Sequence, residues 1–238
     1  MDLLEKIKIL NNHLGAKNFK KVIDGSKIIL NKIPDNDYLL NLTGMAYQGL
    51  SQHENSIKFF NQSLKFAPNN IAAMNNLANS YKAIGKLEKA NDLYEKILNI
   101  NPNYINAYNN YANLKTLVND YKGAIELYLK AYDLIKNNEN ISKKSVTGIL
   151  FSLAVAYQSD NKIDETKNTV NKILSIDSSH VGAHKLLSSL TRYSNKDEDS
   201  MTHIKQMDEI DKNISSKEYE KKVDLSYALG KSFEDIKD

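Results

Sequence analysis

The chain has 238 residues, 41% hydrophobic and 26% charged, with 32 basic against 29 acidic side chains and a formal net charge of +3. This is the composition of a folding chain, and the lack of cysteine excludes disulfides, thiolate metal sites and cysteine nucleophiles. All basic residues are lysines except Arg192, which argues against nucleic acid, because readout of phosphates and guanine edges favours the guanidinium fork.

The N-terminal MDLLEKIKIL interleaves charged with apolar residues, unlike a secretory signal. Nowhere does an apolar run approach the roughly 18–20 residues that span a bilayer, so a cytoplasmic chain without membrane partners is expected. Three prolines and nine glycines are too few to punctuate many short strands. An all-α fold is expected.

The prolines are Pro34, Pro68 and Pro102, 34 residues apart. Shifting the chain by that period superposes Leu40, Met74 and Tyr108, then Gly44, Ala78 and Ala112, then Ser56, Ala90 and Ala124, then Phe60, Tyr94 and Tyr128. Within each period two apolar stripes at helical spacing flank a turn, as at Gly85-Lys86 or Asn119-Asp120, so each unit reads as a helical hairpin. Small residues at the eighth and twentieth places let the paired helices approach. The aromatics at the eleventh and twenty-fourth places, Tyr47, Tyr81 and Tyr157 among the former, are expected to fill gaps between adjacent hairpins as core. Proline stops each second helix.

In chain order, 3–36 is a degenerate first copy, 37–70, 71–104 and 105–138 are clear copies, and residues 1–138 thus hold repeats 1–4. An insertion occupies 139–146, around Asn140-Ile-Ser-Lys-Lys. Repeats 5 and 6 occupy 147–222, the second helix of the sixth lying at about Lys196 to Asp211. Ser215-Ser216-Lys217-Glu218 reads as a capping box before a last leading helix or cap at 223–238. That helix repeats the Tyr227-Ala228-Leu229-Gly230 and Phe233 pattern but has no hairpin partner, so self-association through 223–238 is one expectation.

Segments such as AMNNLANSYKAIGKLEKANDLYEKILNINPN, residues 73 to 103, resemble tetratricopeptide repeats almost position for position. The resemblance implies a TPR solenoid, a right-handed superhelix of antiparallel helix pairs acting as a scaffold for a protein or extended peptide. From His180 through His203-Ile204-Lys205-Gln206-Met207 to Leu225–Asp235 the chain is also similar to the linker of bacterial proteins that join such repeats to a C-terminal sulfotransferase domain. That family cradles its donor in a Gly/Ser/Thr-rich loop downstream of the repeats. No such loop occurs here, so this second resemblance implies a non-catalytic, substrate-recruiting part without a cofactor.

In such a superhelix the leading helices line the concave face, exposing the second, fifth, ninth and twelfth places: Tyr38, Asn41, Met45 and Gln48; Ala72, Asn75, Asn79 and Lys82; Asn106, Asn109, Asn113 and Thr116. Asn76 and Asn110, at the sixth place, lie beside them. An asparagine amide both donates and accepts, so a column of them suits the backbone of an extended peptide. The peptide-binding candidates are therefore Asn41, Asn75, Asn76, Asn79, Lys82, Asn109, Asn110 and Asn113. The other reading is that an asparagine-rich composition fills these places without function. No catalytic motif and no metal site is expected: His180 and His184 stand one helical turn apart but lack a third ligand in sequence, and Asp197 and Glu198 sit in a solvated, charge-rich helix.

Overall fold

The computed structural model describes residues 2–215 and 217–237; among them it contains thirteen α-helices and no strand. They fall into two compact units, Met1–Leu117 and Val118–Asp238.

The first unit comprises α1 (Leu3–Gly15), α2 (Phe19–Leu30), α3 (Asp37–Gly49), α4 (His53–Phe66), α5 (Ile71–Ala83), α6 (Leu87–Ile100) and α7 (Ile105–Leu117). Turns of three residues join α1 to α2, α3 to α4 and α5 to α6, which folds each pair back on itself. The turns are built alike: Lys17, Ser51 and Gly85 take φ of 58°, 59° and 74°. Backbone N–H groups of Asn18, Gln52 and Lys86 then close onto the carbonyls of His13, Tyr47 and Tyr81 at 2.8–2.9 Å, satisfying the helix ends. In the second unit Asn119 and Asn161 repeat the conformation, at φ of 60° and 59°.

Only Gly85 holds this left-handed conformation without a Cβ penalty. Ser51→Gly should therefore stabilise the protein by about 0.5–1 kcal/mol, and Gly85→Ser should cost a similar amount, the left-handed penalty being partly offset by glycine's larger entropy loss. Urea unfolding midpoints would show it. A Ser51→Gly midpoint below the parent's would contradict the turn assignment.

Helix entry is capped by asparagine at the repeat spacing: Asn36 Oδ1 accepts from the Leu39 N–H at 2.9 Å and Asn70 Oδ1 from the Ala73 N–H at 3.1 Å. Between paired helices the small eighth-place residue makes room for an aromatic. A methyl group placed on Gly44 would lie 2.5 Å from the Phe60 ring, and Phe60 and Tyr94 are wholly buried. Tyr94 also stacks on Tyr111 of α7, ring centroids 5.6 Å apart, and so bridges successive hairpins.

The eleventh-place tyrosines depart from expectation. Tyr47, Tyr81 and Tyr157 are half-buried, and Tyr47 stacks at 5.3 Å on Phe59 of its own hairpin. Lysines cover the other two, Lys89 over Tyr81 at 5.6 Å and Lys162 over Tyr157 at 5.9 Å. A ring with a polar tip can stay at the seam because the lysine stems cover its outer face.

The second unit comprises α8 (Tyr121–Ile135), α9 (Lys143–Ser159), α10 (Ile163–Ile176), α11 (Val181–Leu190), α12 (Glu198–Asn213) and α13 (Tyr219–Asp235). At 17 residues α9 exceeds the 13 of α3, α5 and α7. Part of the inserted segment thus forms an additional first turn, capped by Ser142, whose Oγ accepts from the Ser145 N–H at 3.2 Å. By contrast α11 stops after 10 residues, because Thr191 turns extended and the chain carries Tyr193 inward, where it is 2% exposed.

The second helix of this region begins at Glu198 rather than Lys196, its first turn closed by Asp197 Oδ2 accepting from the Ser200 N–H at 3.1 Å. The capping box before α13 is not formed as expected. Ser216 lies outside the described residues, and the helix starts at Tyr219, beyond the reach of Ser215. Glu218 instead pairs with Lys221 at 2.5 Å.

Candidate functional site

All eight candidate binding residues lie on α3, α5 and α7 of the first unit, and the structure places most of them in hydrogen bonds with one another or with the framework. Asn76 Nδ2 donates to Asn41 Oδ1 at 3.2 Å, and one repeat on Asn110 Nδ2 donates to Asn75 Oδ1 at 3.0 Å, each pair 35 residues apart. These are two rungs of the same geometry between successive leading helices. The acceptors Asn41 and Asn75 are 8% and 7% exposed, whereas Asn76 and Asn110 are half-buried. Each rung uses one donor and one acceptor site of amides that have two of each.

Asn79 is held from behind: its Oδ1 accepts from the Tyr94 hydroxyl at 2.7 Å. Asn109 and Asn113 are half-buried on α7. Lys82, near the end of α5, is half-buried, and desolvation pulls its ammonium below the ordinary lysine range. The face therefore combines oriented amides with one poorly hydrated cation.

Gln48 completes the stitching in a way that spacing does not reveal. Its Nε2 donates to the Asn76 carbonyl at 3.2 Å and to Ser80 Oγ at 3.0 Å, and Ser80 Oγ lies 2.8 Å from Ser56 Oγ. The places equivalent to Gln48 hold Lys82 and Thr116, so no period marks the contact.

His180 and His184 do not converge. His180 Nδ1 accepts from the Ala183 N–H at 3.1 Å as the cap of α11. His184 is buried, its Nε2 2.9 Å from the Ser178 carbonyl and its Nδ1 2.8 Å from His203 Nε2. His203 Nδ1 in turn lies 2.6 Å from the Tyr193 hydroxyl. A carbonyl can only accept, so with both rings neutral the proton order is fixed: Tyr193 donates to His203, His203 to His184, and His184 to Ser178. His203 is nineteen residues from His184 and on another helix, a separation that no helical spacing marks.

Among known proteins, the family model described as "Psidin, N-terminal TPR repeats region" matches residues 5–142, more than half of the chain. The chain belongs to this tetratricopeptide-repeat family. Its fold is shared with solved repeat proteins of low identity. The thermophilic TPR protein TTC0263 of Thermus thermophilus is 15% identical, covering 79% of this chain and 97% of that one with a TM-score of 0.62. PilF of Pseudomonas aeruginosa is 16% identical, covering 84% and 85%, with a TM-score of 0.65. Yeast Tom70 is 18% identical, covering 89% of this chain and 43% of its own, with a TM-score of 0.68. No curated protein matches by sequence. The sulfotransferase-linker resemblance of His180–Asp235 has no counterpart among these named matches. In this repeat protein, among the described residues, no helix is long and apolar enough to cross a membrane.

Proposed function

We propose that this repeat protein is a protein-binding scaffold, and that the face shared by α3, α5 and α7 takes an extended peptide along the asparagines at 41, 75, 76, 79, 109, 110 and 113, with Lys82 at its side. The observation that carries the reading is the pair of rungs, Asn76 to Asn41 and Asn110 to Asn75. Fixing one side of each amide costs side-chain entropy before any ligand arrives, so the remaining donor and acceptor sites meet a peptide backbone already oriented. Backbone hydrogen bonds of this kind give affinity without strict dependence on peptide side chains. Lys82, short of hydration, favours a carboxylate or carbonyl on the peptide beside it.

The test is selection of binders from a displayed peptide library, followed by titration of one selected peptide against the parent and Asn76→Ala/Asn110→Ala proteins. At about 1 kcal/mol for each amide contact, the double variant should bind roughly thirtyfold more weakly. Circular dichroism would establish that its helices persist. Equal affinity in a folded double variant would sink the proposal.

A further inference from the structure

The second unit departs from the repeat where α9 begins. In register this helix would start at residue 147, yet it starts one turn earlier, at Lys143. The added turn forms one wall of a cleft of about 720 Å³, whose other walls are the α10–α11 turn and the start of α13. Lys143, Lys144 and Gly148 line it from α9, His180 from the turn and Lys221 from α13, with Ile176 and Val181 as its apolar lining.

Gly148 points to an occupant. It stands in the interior of α9, where glycine weakens a helix relative to alanine. Gly44 and Gly182 have reasons inside the protein: a Cβ on the first would strike Phe60, and one on the second would come within 2.9 Å of Phe151. A Cβ on Gly148 would meet nothing within 4 Å, so no neighbour in the chain requires glycine there. The room left by the missing side chain belongs to the cleft.

The polar groups around it are unevenly satisfied. Both carboxylates that line the cleft are engaged: Asp177 Oδ1 accepts from the Ser179 N–H at 3.0 Å and its hydroxyl at 2.8 Å, and Asp224 pairs with Lys185 at 2.5 Å. Lys221 is held by Glu218. Three donors remain. Among the described residues neither the Lys143 nor the Lys144 ammonium has a hydrogen-bond or ion-pair partner. His180 Nδ1 accepts from the Ala183 N–H, so the neutral ring carries its proton on Nε2, which has no acceptor among the described residues. Spare donors beside committed acceptors call for an anion. Two ammonium groups and an imidazole N–H outnumber the two oxygens of a carboxylate and suit the three terminal oxygens and nearly double charge of a phosphate monoester.

We propose that the cleft binds a small organic phosphate, its phosphate held by Lys143, Lys144 and the His180 Nε2–H, its organic part filling the room beside Gly148 against Ile176 and Val181. A cleft of this size takes such a molecule whole. These residues belong to the second unit and are separate from the asparagine face, so either proposal can fail alone.

Calorimetric titration of the full chain with glycerol 1-phosphate, glucose 6-phosphate and adenosine 5′-monophosphate tests it, with inorganic phosphate and the three parent alcohols as controls. At least one organic phosphate should bind about tenfold more tightly than inorganic phosphate, and its alcohol should not bind. Lys143→Ala with Lys144→Ala should weaken that binding about tenfold or more. Gly148→Leu should abolish it while the urea midpoint rises, because leucine fills the cleft and favours the helix. Inorganic phosphate binding as tightly as the organic phosphates would mark an adventitious ion only. That result, no binding of any of the three, or an affinity untouched by either variant would overturn the proposal.

Discussion

Tyr94→Ala should be among the most damaging single substitutions in the protein, costing about 3–5 kcal/mol of unfolding free energy. The ring is wholly buried, it stacks on Tyr111 of the next leading helix at 5.6 Å, and its hydroxyl donates to Asn79 Oδ1 at 2.7 Å. Truncation therefore opens a cavity at the seam between two hairpins and leaves a half-buried amide oxygen without its donor. Burial holds the hydroxyl proton on, pushing its pKa above the ordinary tyrosine range, so it remains a donor at any pH where the protein is folded.

Tyr94→Phe keeps the ring and removes only the donor, and should cost about 1–2 kcal/mol. The difference between the two variants in urea unfolding separates packing from hydrogen bonding. It also bears on function, because Asn79 released by the phenylalanine variant should lower peptide affinity while the hairpins stay packed. If Tyr94→Ala unfolds within about 1 kcal/mol of the parent, the seam relaxes around the gap and the aromatic does not lock successive repeats.

How far the structure was readable in advance differs from feature to feature. Pro34, Pro68 and Pro102 marked the ends of trailing helices because proline acts locally, and the buried ranks of Ala78, Ala112, Phe60 and Tyr94 followed from period alone. The turns were legible only at Gly85 and Asn119. Lys17, Ser51 and Asn161 adopt the same left-handed conformation, but serine and lysine carry no mark of it, and the hairpin imposes it through the closing backbone bonds. The asparagines were readable as a column and not as rungs, since each bond joins a sixth-place residue to the fifth place of the preceding repeat, an offset of one from the period. The shortening of α11 could not be anticipated, because it depends on Tyr193 finding His203 across nonlocal chain. Where the repeat is regular, sequence and structure agree closely; where a buried polar cluster replaces repeat packing, periodicity has nothing to report.

That cluster makes the protein acid-sensitive in a defined window. His203 is desolvated and faces His184, and these two effects, burial first, lower its pKa from 6.5 to about 4. His184 is also lowered, chiefly by burial and secondarily by His180, against the opposing pull of the Ser178 carbonyl and Asp177. Tyr193, which closes the chain, is raised to about 12 by burial and carries Lys231 at 5.5 Å over its ring and Asp235 on its backbone N–H at 3.2 Å. In the folded state both imidazoles thus stay neutral at pH values where an unfolded chain protonates them. The unfolded state binds more protons, so stability is at its plateau above about pH 6.5 and falls as the pH drops toward 4. For His203 alone the loss approaches about 3 kcal/mol at the lower end. The carboxylates held low by hydrogen bonds, Asp177, Asp197, Glu218 and Asp235, begin to release their share only below about pH 5, which leaves the upper part of the window to the histidines. Urea unfolding at pH steps between 7 and 4.5 should give a slope that His203→Gln largely removes, the glutamine amide still being able to donate to His184. A parent whose stability is flat across that range, or a slope that survives the substitution intact, would show that the buried pair takes up protons without cost to the fold.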